Sequence, residues 1–461
     1  MLAADHDADA GVASRRPGWA GRLIGRWQPG VPAGGWLLLA GSAALALSLA
    51  LYAAAVASHP AGTMLSWFDL RVYQQAGVVV RHAPASLYSW QYQPHIRFTY
   101  TPFAAVAFAV MSVLPWPVVA WSMLAASLLA LVATAWLAFG ALGWQGCRRA
   151  GAAMAVSAVA LWTEPVERAL HLGQVELLLM ALIVADLTGP QRWWRGTGIG
   201  LAAGLKLVPL IFIPYLLLTR RLRQAVVATA TFAALAAAGF AVLPQASVQW
   251  WLGPDFLRPG RTGFVPMVAN QSLRALAARV AGSMAASGGP WLVSAIATGA
   301  VGLLVAAALH RAGRPVAGWT VCALTGLLVS PVSWDHHWVW LTAGLVVVTD
   351  LAAGARGAAR CAWWTLAGAL ALIFGGWPSF WEPGSALVPV GLIWFAPDLD
   401  ATGRHAEYSW RGVEWVAGNL YLLAGIALLA GVTAIVVRGL IGTRRPAPAG
   451  APPVPLAGTG N

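Results

Sequence analysis

The chain has 461 residues, of which 59% are hydrophobic and only 10% are charged. Soluble domains carry roughly 25% charged residues, so this composition excludes a soluble protein and indicates a polytopic membrane protein. The net charge of +13 comes mostly from Arg residues in short clusters beside apolar runs, an arrangement typical of the cytoplasmic flanks of membrane helices, which argues against nucleic acid as a partner.

The chain begins with a polar segment, residues 1–35, for which we expect a cytoplasmic and partly disordered tail. Residues 36–57 carry no charge and are long enough to cross a bilayer, which needs about 20 apolar residues. The Arg-rich flank before this run predicts a helix that passes from inside to outside. Residues 58–101 would then form the first extracytoplasmic loop.

This loop contains a single carboxylate, Asp69, in the stretch WFDLRVYQQAGVVVRH. The residues around it are polar or aromatic, a set suited to holding a sugar or a phosphate: Arg71, Tyr73, His82, Tyr88, Tyr92, His95, Arg97 and Tyr100. The alternative is that Asp69 caps the helix that the spacing predicts here, because Asp is a favourable N-cap. One residue can serve both purposes.

Further apolar runs follow the loop, at about 102–114, 117–143, 150–162, 174–188, 197–218, 225–243, 289–310, 315–331, 337–355, 361–377 and 413–437. With the first span they predict an all-α membrane domain over residues 36–440 with about 12 transmembrane helices. An even number of crossings returns the Pro-rich tail, residues 441–461, to the cytoplasm.

The sequence allows two membrane topologies for the first apolar runs. Counting every run as a crossing places Arg148 and Arg149 outside, against the positive-inside rule. Treating some of the shorter runs as re-entrant hairpins is the alternative. Both versions place a second large loop, residues 244–288, and the turn 331–337 on the same outer side as Asp69.

Polar islands interrupt the apolar runs at three places. They are TEPVERALHLGQVE (163–176), the loop 244–288 with its Asn270-Gln271-Ser272 sequence, and SPVSWDHHWVW (330–340). Ionisable groups at membrane depth are costly, so each island is a candidate functional site. A solvated loop between helices is the alternative for each.

The only lysine of the chain is Lys206, in the middle of an apolar run. Snorkelling to the membrane surface would explain a lysine near the end of a helix, but it suits this mid-run position poorly. A compact ammonium on a flexible stem is well suited to a phosphate. Pro209 and Pro214 follow closely and predict a broken or bent helix that lines a cavity.

This set of residues fits glycosyl transfer from a lipid-phosphate sugar. Phosphate is already a good leaving group, so cations and His need only stabilise the charge that develops on it. One carboxylate suffices as the general base that takes the proton of the acceptor hydroxyl. Direct attack of that hydroxyl would invert the anomeric centre. No nucleotide-binding or metal-binding motif is present, and we expect neither a metal nor another cofactor, because the adjacent His336 and His337 are unlikely to reach one ion together.

Six segments carry a resemblance to a known family. They are FDLRVY (68–73), FTYTPFAAV (98–106), HLGQVELLL (171–179), GLAAGLKLVPLIFIPYLLLTRRLR (200–223), NQSL (270–273) and SPVSWDHHWVW (330–340). Together they resemble the actinobacterial polyprenyl-phosphate-mannose-dependent α-1,2-mannosyltransferases of the GT-C superfamily, which build phosphatidylinositol mannosides and lipomannan. The chain departs from that family at Glu176, where Asn is frequent, and at Leu207, where Pro is frequent.

The resemblance implies a GT-C fold in the plasma membrane with an extracytoplasmic active site and no metal. It implies a polyprenyl-phosphate mannose donor, a glycolipid acceptor and an α-1,2-linked product, with Asp69 as the general base. The residues that would bind the donor phosphate or sugar are Lys206, His171, His336, His337, Arg71 and Gln174. Those that would bind the acceptor or a sugar are Tyr100, Asn270, Gln271, Ser272 and Trp334.

Three other functions remain open at this stage. A flippase or transporter of lipid-linked sugars would also explain intramembrane charges, although transporters usually show internal repeats and none is evident. An enzyme of the same fold could use another polyprenyl-phosphate sugar, such as arabinose. A structural membrane scaffold is the third alternative, and the concentration of polar residues in three islands argues against it.

Overall fold

A computed structural model describes residues 34–58, 64–94, 96–253, 259–378, 389–400 and 402–443. The two predicted tails, residues 1–35 and 441–461, lie outside these ranges except for residues 34–35 and 441–443. The helices of the first half are α1 (Gly34–Ser58), α2 (Phe68–His82), α3 (Pro102–Phe108), α4 (Trp116–Ala141), α5 (Gly146–Ala160), α6 (Glu164–Leu172), α7 (Glu176–Thr188), α8 (Thr197–Leu205), α9 (Phe212–Leu218) and α10 (Leu222–Val242). Those of the second half are α11 (Pro244–Leu252), α12 (Leu273–Ala281), α13 (Gly288–Arg311), α14 (Pro315–Val329), α15 (Leu341–Gly354), α16 (Gly357–Ile373), α17 (Gly412–Gly418) and α18 (Leu420–Thr443).

Short elements connect these helices. The strands β1 (Gln91–Gln93) and β2 (Ile96–Arg97) form one antiparallel pair, and β3 (Trp377–Pro378) and β4 (Pro389–Val390) form another. The described 3₁₀ helices are Pro84–Ser86, Met111–Val113, Val208–Ile211, Pro259–Thr262, Asp335–Trp340 and Leu392–Phe395.

Six helical segments in the described residues are long and apolar enough to cross a membrane. They are α1, α4, α10, α13, the segment Asp335–Gly354 and most of α18. A seventh arises if α6 and α7, which meet at an angle of 115°, count as one broken span. Shorter apolar helices occur at Pro102–Val113, Val208–Leu218, Pro315–Val329 and Gly357–Ile373. The chain is therefore an all-α polytopic membrane protein, as its composition predicts.

Helices α1 and α5 cross at a pair of glycines. A Cβ added to Gly41 would lie 2.1 Å from the carbonyl oxygen of Gly151, so neither position has room for a side chain. Small residues let membrane helices approach closely enough for their backbones to pack. Most of the remaining surface of α1 is exposed in the protein, as a lipid-facing helix requires.

Two predicted apolar runs are divided by breaks. Run 197–218 breaks at Lys206, whose backbone is extended (φ −143°, ψ 132°), and Pro209 lies in the first turn of the 3₁₀ helix that follows, so the predicted break is confirmed, although Pro214 lies inside α9. Run 413–437 contains a break before α18 at Asn419. The break exists because Arg279 binds the carbonyl of Gly418 (3.1 Å) and the side chain of Asn419 (2.7 Å).

Candidate active site

The entrance to α2 is attached to the end of α6. Trp67, in a left-handed conformation (φ 55°), donates its backbone N–H to the carbonyl of His171 (2.8 Å). The hydroxyl of Ser66 donates to the same carbonyl (3.1 Å), and the His171 ring lies 3.2 Å from the carbonyl of Met64. His171 therefore positions the start of α2.

Helix α6 ends at Gly173, which has φ 70°, the left-handed region that favours glycine. A Cβ at this position would approach Leu70 of α2 to 2.7 Å. Glycine thus allows the chain to turn from α6 into α7 while α2 packs against the turn. This turn brings Gln174 next to α2.

Asp69 lies in the first turn of α2, and the N-cap position belongs to Trp67. The interpretation of Asp69 as a simple N-cap is therefore wrong. Its Oδ2 instead accepts a hydrogen bond of 2.5 Å from the side-chain amide of Gln174. The amide oxygen of Gln174 accepts from the hydroxyls of Tyr73 (2.6 Å) and Tyr100 (2.9 Å), which fixes the orientation of the amide.

Burial raises the pKa of Asp69 above its ordinary value. The charge of His336, the Gln174 hydrogen bond and the charge of Lys206 each lower this pKa, but the loss of water outweighs them. A raised carboxyl pKa means a stronger base once the group is ionised, which is the property that a general base needs.

Lys206 follows the last residue of α8, and its side chain meets three elements. Its ammonium contacts Oε1 of Glu176 at the start of α7 and lies 2.9 Å from Nε2 of His337. The hydroxyl of Tyr100 is 3.5 Å away. Asp69, Gln174, Tyr100 and Lys206 therefore form one continuous chain of polar contacts, with the carboxylate at one end and the ammonium at the other.

The ligand atoms of Glu176, His336 and His337 all lie within 4.8 Å of one another, a spacing at which three ligands can reach one metal ion. The expectation that the adjacent histidines are unlikely to reach one ion together is therefore wrong, because the 3₁₀ helix Asp335–Trp340 brings their rings to a centroid distance of 4.7 Å. The ammonium of Lys206 already contacts two of the three residues. A second cation at this point would be repelled by it.

His336 is held by the preceding residue. The Oδ1 of Asp335 accepts from the backbone N–H of His336 (2.7 Å) and lies 3.1 Å from its Nδ1. This contact places the ring proton on Nδ1 and leaves Nε2, which is buried and has no hydrogen-bond partner among the described residues, as the atom available to a ligand. The other oxygen of Asp335 faces Arg168 at 3.9 Å.

A small cavity of about 40 Å³ opens beside Lys206. Its polar end consists of Glu176, Lys206 and His337. The remaining lining is largely apolar and comes from α7, α9, α14 and their neighbours: Leu179, Met180, Ile183, Val208, Pro209, Ile211, Phe212, Ala323, Leu327, Val339 and Trp340.

The side chains of Asn270, Gln271 and Ser272 are fully buried and bind backbone. Asn270 accepts from the N–H of Ser333 (2.9 Å), and Gln271 donates to the carbonyl of Gly418 (2.8 Å). Ser272 caps α12 by accepting from Ala275 N–H at 3.2 Å. These residues hold the segment that leads to His336 and His337, and the structure does not turn them towards Asp69.

Two further predicted site residues lie apart from this chain of contacts. Arg71 is exposed and stacks on the ring of Trp116 at 3.9 Å. Trp334 is partly buried, pairs with Asn270 through the backbone and lies against Gly263.

Three residues that the structure brings into the site received no individual role from the sequence: Tyr73, Glu176 and Asp335. The sequence had placed Tyr73 in the polar and aromatic set around Asp69, and Glu176 and Asp335 in the polar islands 163–176 and 330–340. Tyr73 lies four residues after Asp69 and therefore shares its helix face, a spacing that could have identified it. Asp335 directly precedes His336. Glu176 is an ionisable residue at the start of an apolar run, which is itself a functional signal.

Comparisons with known proteins identify a family and several related sequences. The sequence model of glycosyltransferase family 87 matches residues 98–331. No solved structure matches the chain.

Three mycobacterial proteins are similar over most of their length. A protein of Mycobacterium tuberculosis CDC 1551, a polyprenol-phosphate-mannose-dependent α-(1-2)-phosphatidylinositol pentamannoside mannosyltransferase, is 31% identical over 84% of this chain and 87% of its own. The protein of the same description from Mycolicibacterium smegmatis is 30% identical over 78% and 85%. A phosphatidylinositol mannoside mannosyltransferase of M. tuberculosis H37Rv, also polyprenol-phosphate-mannose-dependent, is 29% identical over 83% and 84%. The chain therefore belongs to glycosyltransferase family 87.

Proposed function

We propose that this protein transfers mannose from polyprenyl-phosphate mannose to a glycolipid of the phosphatidylinositol mannoside or lipomannan type. The product is an α-1,2 linkage formed with inversion. The observation that carries this proposal is the buried chain of contacts from Asp69 through Gln174 and Tyr100 to Lys206. It supplies a base and a phosphate-binding cation side by side, and the relatives' names specify a polyprenol-phosphate-mannose donor.

Asp69 acts as the general base in this reaction. Its carboxylate takes the proton of the acceptor hydroxyl as the oxygen attacks C1 of mannose on the face opposite the phosphate. Gln174 keeps one carboxylate oxygen in a fixed direction. General base catalysis by a positioned group typically contributes about 10²–10⁴ in rate.

The leaving phosphate is stabilised at the other end of the chain of contacts. The bond from C1 to the phosphate oxygen breaks, and its electron pair stays on that oxygen. The Lys206 ammonium is the group that meets the new charge. Nε2 of His336, which carries no proton, can instead accept from a sugar hydroxyl of the donor. Fixed donors in a buried site stabilise such charge more strongly than water does.

The lipid part of the donor lies along the apolar lining beside Lys206, which extends from α7 to α14. We place the reaction at the extracytoplasmic surface of the plasma membrane, in a GT-C fold. In this proposal the shorter apolar helices complete a domain of about 12 crossings, some of them broken, since each crossing needs about 20 residues.

The test is transfer of labelled mannose from polyprenyl-phosphate mannose to phosphatidylinositol mannosides in membranes that contain the protein. Asp69→Asn should lower the rate by at least about 100-fold. Asp398→Asn makes the same chemical change at an exposed carboxylate and should leave the rate unchanged. Thermal unfolding in detergent checks that both variants fold.

Retained transfer by Asp69→Asn would remove Asp69 as the base. If neither the native protein nor the variant transfers label, while the labelled donor changes leaflet, the protein is a transporter. If transfer requires polyprenyl-phosphate arabinose in place of the mannose donor, the reaction class stands and the assignment of the sugar fails.

A further inference from the structure

Glu176 forms a compact buried cluster with Lys206 and His337. Its Oε1 contacts the ammonium and lies 3.5 Å from Nε2 of His337. The side chains of these three residues are 7%, 17% and 8% exposed. The other oxygen, Oε2, is buried without a hydrogen-bond partner in the described part of the chain. The ammonium is therefore paired with a buried carboxylate.

A phosphate needs the same ammonium. Under the proposed function, which this inference extends, the donor phosphate must reach Lys206, and Glu176 Oε1 contacts the ammonium where a phosphate oxygen would. Two anions cannot share one buried ammonium without repelling each other, and the repulsion is strong where water is excluded.

We propose that Glu176 is a built-in competitor of the donor phosphate. Its carboxylate holds Lys206 in the empty site and must give way when polyprenyl-phosphate mannose binds. It also discriminates between donor and product by their charge, and so favours release of the product.

The discrimination follows from the charge balance of the reaction. The donor is a phosphodiester with one negative charge. The acceptor O–H bond breaks and its proton goes to Asp69, while the C1–O bond breaks and its electrons stay on the phosphate. The released polyprenyl phosphate is a monoester that carries close to two negative charges at neutral pH. An ionised Glu176 therefore repels the product about twice as strongly as the donor.

Removing the charge of Glu176 tests this inference. Glu176→Gln keeps the shape of the side chain and an oxygen that can accept from Lys206. Removing one unit charge at about 4 Å should tighten the binding of a monoanion at least about fivefold, even with the dielectric constant of water. The corresponding effect on a dianion is about 25-fold.

The measurements are the KM for polyprenyl-phosphate mannose and the inhibition constant of polyprenyl phosphate, both in detergent-solubilised full-length protein. In Glu176→Gln both constants should fall, and the inhibition constant should fall more. Glu414→Gln, the same change at an exposed glutamate, should leave both unchanged. If Glu176→Gln does not fold, Glu176→Asn supplies a second neutral side chain for the same comparison.

Unchanged constants in the folded neutral variants would show that Glu176 does not compete with the donor phosphate, and larger constants would show that it supports donor binding. Either result would overturn the inference. An equal change for donor and product would overturn the discrimination by charge. The proposed function is tested separately by Lys206→Met, which should abolish saturable transfer. If the native protein transfers no mannose, or Lys206→Met transfers it normally, the proposed function itself fails.

Discussion

The hydrogen bond from Gln174 to Asp69 makes a quantitative prediction about pH. Gln174→Met keeps the length of the side chain but removes the N–H that binds Oδ2 of Asp69 at 2.5 Å. A hydrogen bond to a charged group contributes about 1.5–3 kcal/mol. Since about 1.4 kcal/mol corresponds to one pKa unit, the pKa of Asp69 should rise by about one to two units.

The direction in which the pH profile of activity shifts follows from the requirement that the base be ionised. Burial already raises the pKa of Asp69, and the Gln174 hydrogen bond opposes that rise. Only the ionised carboxylate accepts a proton, so activity is lost as the pH falls through this pKa. The acidic limb of the native kcat/KM profile should therefore lie above the pH of about 4 expected for an exposed Asp, and Gln174→Met should move it further up.

The assay is mannosyl transfer measured across pH, with kcat/KM determined at each point. Gln74→Met is the matched control, because Gln74 lies on the same helix but donates to the carbonyls of Met111 and Leu114. The control should keep the native profile. If Gln174→Met loses the same fraction of activity at every pH, the amide only orients Asp69 and the electrostatic reasoning is refuted.

Three further outcomes are expected. Lys206→Arg should lower transfer by about tenfold or more, measured as kcat, because the planar guanidinium does not replace a compact ammonium between its partners. Asn270→Ala should cost about 1–3 kcal/mol, measured as a lower unfolding temperature, because it leaves the buried N–H of Ser333 unpaired. Gly151→Leu should separate α1 from α5 and destabilise the protein by at least about 1–3 kcal/mol. Gly344→Ala should not destabilise it, because a Cβ at Gly344 meets nothing within 4 Å. Equal unfolding temperatures for the two variants would contradict the close packing of α1 and α5.

The two main residues of the site, Asp69 and Lys206, were predictable because ionisable residues are scarce in this chain. A single loop carboxylate and a single lysine stand out in a chain with 10% charged residues, and the structure connects Asp69 to Lys206 through Gln174 and Tyr100. Ionisable groups are expensive at membrane depth, so those that remain tend to meet one another. The chemical roles assigned to these residues stay predictions.

Other features depend on backbone partners that a sequence does not show. The family resemblance implies that Asn270 and Gln271 bind the acceptor or a sugar, but their amides bind backbone groups in other segments. The break before α18 has a similar origin, since Arg279 on α12 draws the Gly418 carbonyl out of a helical hydrogen bond. Arg71 stacks on the ring of Trp116, the first residue of α4. Each depends on residues far apart in the chain.

The proposed reaction moves one negative charge across the site, and the arrangement of residues follows from that movement. Asp69 is neutralised by the proton that it accepts while the phosphate gains a charge beside Lys206. The amide of Gln174 favours the charged form of Asp69 before the step, and the ammonium favours the charged phosphate after it. Without Glu176, the released phosphate, which carries the larger charge, would be the species that Lys206 holds most tightly. A carboxylate beside Lys206 opposes that outcome, because its repulsion grows as the charge arrives.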